Sequence, residues 1–352
     1  MKTLHSLKSP LLVSAAIIVM SACGNTSIAR NVVADDQSKT HDADGVPVQG
    51  EITFDTKAAP ALEVKRIKSG HILVRPKINN HDAGWFIFDT GAGICCISTP
   101  QVSGLDLEAN GTIEASGVGG AKSANLYKAR QMQLGAITFQ DHPLMEVDLA
   151  FLEPLVDEKI CGVIGYGVLS KCIAEIDLSV PSISLFDPNA YSLTKGEWTP
   201  MDVTDRVPVV PGKFEGRVGS FRLDLGATGS VTFHQPAVVK YDMLKGRDLK
   251  DCKIGGVGGF VVGKSGKIAG LELGNVKFEN VDAEFALEAK GTLADSQKEA
   301  NIGTDILKKF VIVTDYPQNR IGLLAKPTTA MDPTTPATAP TLNSGASKPA
   351  TK

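Results

Sequence analysis

This chain contains the same ordered set of signals twice, and that repeat limits its architecture more than any other feature. Val74-Arg75-Pro76 returns as Val209-Val210-Pro211 after 135 residues, and Gly117-Val118-Gly119-Gly120 returns as Gly256-Val257-Gly258-Gly259 after 139. Leu134-Gly135-Ala136-Ile137-Thr138-Phe139 matches Leu273-Gly274-Asn275-Val276-Lys277-Phe278, also at 139. Val163-Ile164-Gly165 matches Asn301-Ile302-Gly303, and Ile176-Asp177 with Ile183-Ser184-Leu185 matches Thr314-Asp315 with Ile321-Gly322-Leu323, all at 138. Signals that recur in one order at nearly one offset indicate a duplicated structural unit. Near the start of each copy lies an acidic turn, Phe88-Asp89-Thr90-Gly91-Ala92-Gly93 in the first and Leu223-Asp224-Leu225-Gly226-Ala227-Thr228-Gly229 in the second.

Both copies read as short β-branched and aromatic runs broken by Gly, Pro, Asn and Asp, which is the pattern of an all-β unit. In the first copy the pattern predicts strands over 72–78, 85–89, 128–134 and 137–147, and the second copy repeats them. Short helices are expected only over 167–172 and 305–310, where apolar residues fall three and four apart, each leading straight into a strand. A chain of 352 residues holds two cores of roughly 120 to 130 residues each, within the usual domain range. The expected order is a leader over 1–23, a polar tether over 24–56, lobe 1 over 57–195, lobe 2 over 196–326 and a Pro-, Thr- and Ala-rich disordered tail over 327–352.

The amino terminus has the make-up of an export signal: Lys2 and Lys8, an apolar run over 11–20, then Ser21-Ala22-Cys23. That run is short of the roughly 20 residues a permanent span needs. Met20-Ser21-Ala22-Cys23 resembles a bacterial lipobox, which implies lipidation of Cys23, and Gly24 after it resembles outer-membrane sorting. An ordinary secretory signal is the alternative. The expected location is therefore outside the cytoplasm, lipid-anchored at the outer membrane and facing the periplasm, with the membrane as a partner through Cys23. Of the remaining cysteines, Cys95, Cys96, Cys161, Cys172 and Cys252, an odd number, at least one stays free, and buried apolar packing is the expected role of most. Cys95 and Cys96 cannot share a metal, because neighbours on a strand face opposite ways.

A net charge of −3 without a basic block argues against a nucleic-acid partner. No Gly-x-Ser-x-Gly elbow occurs, and His71, His81, His142 and His234 read as surface or packing residues. Gly258, Gly263, Lys264 and Ser265 satisfy a P-loop spacing, but the alternating, glycine-broken residues that follow read as strand and turn, not as the helix a phosphate cradle requires. Asp42-Ala43-Asp44-Gly45 opens like a calcium loop without its closing glutamate and is read as tether. No metal or cofactor is expected.

Two carboxylates can hydrolyse a peptide bond if they share one proton across a bound water. One stays neutral and hydrogen-bonds the carbonyl; the other, ionised, takes a proton from the water. Bringing them together requires two tight turns in contact. Gly91 and Gly226 permit that approach, small Ala92 and Ala227 continue the clearance, and strands 85–88 and 221–223 would seat the turns.

On these residues the chain resembles the aspartic protease clan, specifically bacterial retropepsin-like proteins with two fused lobes. Copy one carries the whole family pattern: Ile87-Phe88-Asp89-Thr90-Gly91-Ala92, the glycine cluster over 117–120, and Val163-Ile164-Gly165. The resemblance spans roughly residues 60–325 and implies two pepsin-like lobes with one cleft, an Asp89/Asp224 dyad acting on a peptide or protein substrate, and a monomer. Gly117, Val118, Gly119, Gly120 and Gly256, Val257, Gly258, Gly259 would then form flap tips that pair with an extended peptide. Copy two departs at Leu225, where the family has Thr or Ser, and at Asn301, where it has an apolar residue. The first departure leaves Thr90 without a hydroxyl counterpart, so the junction is expected to be looser or packed through Leu225. Two alternatives follow: a peptide-binding lipoprotein that has lost efficient hydrolysis, and a dyad built by two chains through their first lobes.

Overall fold

The computed structural model describes residues 45–326 without a break, together with Asp42 and the short segments Val13–Ala15 and Met20–Ser21. Cys23, most of the polar segment and the tail from residue 327 lie outside the described residues. The architecture is all-β, and each copy of the repeat closes into a barrel of six strand positions, the first of which is split in lobe 1 into Ile72–Val74 and Lys77–Ile78.

In lobe 1, Ile72–Val74 pairs with Trp85–Phe88, which runs parallel to Ile160–Ile164. Ile160–Ile164 pairs with Cys96–Ser98, which runs parallel to Ile137–Val147. The ring closes through Gly120–Leu134, which pairs with Ile137–Val147 on one side and with Lys77–Ile78 on the other. Lobe 2 repeats the circuit with Val209–Phe214, Arg217–Leu223, Ala300–Ile302, Val231–Phe233, Val276–Ala286 and Gly259–Leu273. Closure removes the exposed edges that an open sheet would carry. The first hairpin of each copy turns through two left-handed residues, Asn79-Asn80 and Glu215-Gly216. Left-handed pairs match the twist of the flanking strands.

A separate five-stranded sheet joins the lobes, in the order Ser182–Phe186, Ile173–Asp177, Phe310–Asp315, Arg320–Ala325, Thr199–Pro200. Ile176 stands opposite Ile312 at its centre, so the equivalent strands of the two copies pair with each other. One apolar cluster runs through this sheet from Ile72 and Phe88 in lobe 1 to Phe221 and Phe285 in lobe 2. The lobes are therefore fused through a shared core.

Several expected boundaries shift. The predicted strand over 72–78 is split at Arg75-Pro76, because proline brings no amide to the ladder. The expected helices are the single turns Tyr166–Leu169 and Thr304–Leu307, each beginning directly after a glycine. Ile137–Val147 has the predicted bounds. Lobe 1 also starts earlier than residue 57: Ile52–Phe54 lies antiparallel on Ile137–Phe139, and Val46 is buried, so the end of the supposed tether is part of the barrel wall. Of the P-loop-like residues, Gly263, Lys264 and Ser265 lie on Gly259–Leu273, a barrel strand, and Gly258 lies in the turn before it.

The five described cysteines are free thiols in buried positions, and Cys95 and Cys96 enter different apolar clusters, Cys96 opening the strand Cys96–Ser98 and Cys95 directly preceding it. His142 is fully buried against Phe139 with neither ring nitrogen hydrogen-bonded, and burial pushes its pKa down to about 3. An unfolded histidine takes up its proton near pH 6.5. Between these values the unfolded chain binds the extra proton, so this side chain's contribution to stability falls as pH drops through that window. His142→Leu is expected to raise the unfolding free energy at neutral pH by about 1 kcal/mol through loss of an unpaired polar group. Its advantage over the parent should widen between pH 6.5 and 3, as checked by urea denaturation at several pH values.

Candidate active site

The two acidic turns meet where the barrels face each other. Asp89 directly follows strand Trp85–Phe88, and its amide donates to the Ile164 carbonyl at 2.9 Å. Asp224 follows Arg217–Leu223 and donates to the Ile302 carbonyl at 3.0 Å. Each turn then folds back, the Ala92 amide reaching the Asp89 carbonyl at 3.4 Å and the Ala227 amide the Asp224 carbonyl at 3.3 Å. The glycine of Val163-Ile164-Gly165 and its equivalent Gly303 lie under these turns. A Cβ on Gly165 would sit 2.4 Å from the Ala92 carbonyl oxygen, and one on Gly303 2.5 Å from that of Gly229. This close approach ties the later glycine signal of each copy to the acidic turn of the same copy.

The carboxyl groups share a donor. Gly226 N lies 2.9 Å from Asp89 Oδ1 and 3.0 Å from Asp224 Oδ1, while Gly91 N donates to Asp89 Oδ1 at 2.7 Å. Asp89 is 0% and Asp224 1% exposed. Burial, with Asp224 as a close like charge, drives the Asp89 pKa far above the usual carboxylate range. Burial also raises Asp224, to about 7, with the Gly226 and Ala227 amides and the Arg222 guanidinium pulling the other way. The pair therefore retains a proton under conditions where isolated aspartates have none, and that proton belongs to the pair.

Of the two outcomes expected from Leu225, a looser junction or one packed through the leucine, the structure has the second, and Thr90 adds to it. Its hydroxyl donates to the Leu223 carbonyl at 2.6 Å and accepts from the Leu225 amide at 3.1 Å, so it clamps the opposite turn through backbone groups alone. Leu225 is itself buried in the shared apolar core. Leucine costs lobe 2 its reciprocal clamp but leaves the bonds made by Thr90 in place.

Histidines read from sequence as surface or packing groups also enter the site. His71 is fully buried, with Nδ1 2.7 Å from Ser69 Oγ and Nε2 donating to the Gly226 carbonyl at 3.0 Å, which fastens lobe 1 to the lobe 2 turn. His234 Nε2 lies 2.9 Å from Asn301 Oδ1, and Asn301 Nδ2 donates to Asp224 Oδ2 at 3.2 Å. The signal for Asn301 and Arg222 was present in the repeat itself, where both stand opposite apolar residues of copy one. Nothing comparable marked His71.

The glycine clusters form the tips of two long hairpins, Glu108–Gly117 with Gly120–Leu134, and Lys250–Gly256 with Gly259–Leu273. The tips touch, with Gly119 N donating to the Val257 carbonyl at 3.0 Å. Val118 is buried among Ala227, Ile254, Val261 and Leu293 of lobe 2, and Val257 packs on the lobe 1 cluster around Met145 and Val147. Gly119 must be glycine, since a Cβ there would lie 1.9 Å from the Gly258 carbonyl carbon. Through Val118 the first tip reaches Ala227 of the second acidic turn, and each hairpin borders a groove, one lined by Thr99, Met145, Glu146 and Phe151, the other by Ser230, Arg247, Ser265 and Glu284. The outer edges of the hairpins accept strands. Val13–Ala15 runs parallel to Lys253–Gly255, and Met20–Ser21 runs antiparallel to Ala115–Ser116.

Residues 74–168 match a family model described as aspartyl protease, which supports the retropepsin-like aspartyl protease clan. The match begins in the first barrel strand and ends in the helical turn after Gly165, so it covers most of the lobe 1 barrel. No curated protein matches the chain.

Proposed function

We propose that this protein is an aspartic endopeptidase in which Asp89 and Asp224 activate a water for attack on an extended peptide. The observation that carries the reading is the single Gly226 amide within hydrogen-bonding distance of both buried carboxyl groups. Two carboxyls held this close and shielded from solvent share a proton, which is the state the chemistry requires. Asp224, ionised, takes the proton from water; protonated Asp89 donates to the substrate carbonyl and stabilises the tetrahedral oxyanion. The proton then passes to the leaving amine. Strand addition at the hairpin edges supports an extended substrate, since main-chain pairing there is independent of peptide sequence. In this reading the protein acts as a monomer outside the cytoplasm, anchored through lipidated Cys23 to the outer membrane and facing the periplasm.

The purified protein, incubated with an unstructured peptide library in ¹⁸O-water from acidic to neutral pH, should release fragments with one heavy oxygen in each new carboxylate and no acyl-enzyme burst. A protein that retains peptides without cutting them would replace this reading with binding alone.

A further inference from the structure

The two halves of the site differ in what stands behind each aspartate. On parallel strands Ile87 is the register partner of Val163 in lobe 1, and at the equivalent places in lobe 2 Arg222 is the register partner of Asn301. Val163 is in turn opposite Cys96, and Asn301 opposite Thr232. Ser98 and His234 each lie two residues beyond those last positions. Lobe 1 thus fills this layer with Ile87 and Val163, packed in an apolar cluster, whereas lobe 2 fills it with buried Arg222, Asn301 and His234. A barrel wall does not need such groups, because burying polar side chains costs free energy unless each finds a partner.

We propose that Asn301 and His234 are a positioning pair that holds Asp224 as the ionised member of the dyad, making lobe 2 the side from which water loses its proton. The inference rests on the endopeptidase reading and assigns the two aspartates unequal work. The Asn301 amide offers Asp224 Oδ2 a donor at 3.2 Å, and with the ring proton on Nε2 the other end of that amide is fixed, Oδ1 accepting from His234 Nε2 at 2.9 Å. Turning the amide over would set its oxygen against the carboxylate and its NH₂ against an N–H. In the Nε2–H tautomer the histidine thus fixes the amide's direction, and the amide favours the charged form of Asp224. His234 serves as a neutral ring, its pKa lowered by burial and by Arg222 to about 4.

The other groups facing Asp224 are few. Asp89 stands across the junction, and Arg222 lies two residues upstream. The Arg222 guanidinium donates to Asp295 Oδ2 at 2.5 Å and to the Thr292 carbonyl at 3.2 Å, with Asp205 at 3.8 Å. His71 holds the Gly226 carbonyl, and burial lowers its pKa. Tyr316 is buried on the Asp89 side, and burial keeps its phenol protonated. None of these places a side-chain amide on Asp89.

The test compares the full-length protein with Asn301→Val, which copies lobe 1, with His234→Ser, which frees the amide to turn, and with His234→Gln, which keeps an N–H donor. Two readouts are taken, the pH profile of kcat and KM and a carboxyl titration by NMR with ¹³C-aspartate. Removing the donor disfavours the ionised form, so the acid limb of kcat should move about one unit to higher pH in Asn301→Val and His234→Ser. The fall in kcat on that limb should be about tenfold with KM unchanged, the first carboxyl midpoint should rise in parallel, and His234→Gln should stay near the parent. An unmoved acid limb and midpoint in folded Asn301→Val or His234→Ser overturns the proposal. If the parent cuts no peptide the endopeptidase reading fails, while the carboxyl titration still decides whether Asn301 and His234 set the state of Asp224.

Discussion

Asparagine at position 89 or at position 224 is expected to lower kcat by about 10³-fold or more, and the double substitution to add little to either. Proton transfer by a positioned group accounts for rate factors of this order, and residues that act as one unit lose their effect together. Because Gly226 N reaches both carboxyls, neither can work as an isolated base. The same variants should be more stable than the parent at neutral pH. Both aspartates have raised pKa values in the fold, so between the ordinary carboxylate range and neutrality the unfolded chain releases protons that the folded chain keeps. Stability therefore falls as pH rises through that window, and an amide at either position removes part of the loss. Calorimetry at pH 4 and pH 7 beside a peptide-cleavage assay checks both halves: the stability gain of each variant should be larger at pH 7. Loss of activity with an unchanged pH dependence of stability would mean that the carboxyls do not share a proton. A variant that still cuts peptides would remove its aspartate from the chemistry.

The repeat made the architecture legible because duplication leaves paired marks at every structural corner. Asp89 and Asp224, Gly165 and Gly303, and the two glycine clusters are all positions where backbone approaches backbone, and such positions restrict residue type in both copies. The five-stranded sheet between the lobes was less legible. Ile173–Asp177 and Phe310–Asp315 were expected to be strands, but which strand pairs with which depends on how two barrels meet, and no local spacing records that. The same limit hid His71, whose partner lies 155 residues away in the other lobe. A buried histidine that anchors a remote carbonyl has the same local sequence as one that merely fills space. Leu225 packs the junction, as one of its two expected outcomes had it, and the Thr90 hydroxyl still clamps the opposite backbone because that bond needs no hydroxyl in return. Arg222 and Asn301 show what a repeat adds when it breaks. Against Ile87 and Val163 they are polar residues in an apolar layer, and both lie behind the same aspartate.

Gly226→Ala is expected to reduce kcat by about 100-fold and to destabilise the fold by about 1 to 3 kcal/mol, without disturbing either barrel. The glycine is not required by backbone conformation, since neither Gly91 nor Gly226 is among the left-handed residues of the chain. It is required by the other lobe. A Cβ on Gly226 would stand 2.3 Å from Asp89 Oδ2, and a Cβ on Gly91 2.5 Å from Asp224 Oδ1. Each glycine thus makes room for the aspartate of the opposite copy, and the two clearances follow from one approximate twofold relation. Asp89 cannot retreat cheaply, because Oδ1 is held by the Gly91 and Gly226 amides at 2.7 and 2.9 Å. A methyl group must stretch the bridging bond or separate the turns, and either change uncouples the carboxyls. Gly104→Ala is the control, for that glycine has an ordinary φ and nothing within 4 Å of an added Cβ. In a cleavage assay paired with urea denaturation, Gly91→Ala should fall beside Gly226→Ala and Gly104→Ala beside the parent. Full activity in Gly226→Ala would show that the carboxyls work without the close contact from which the shared proton is inferred.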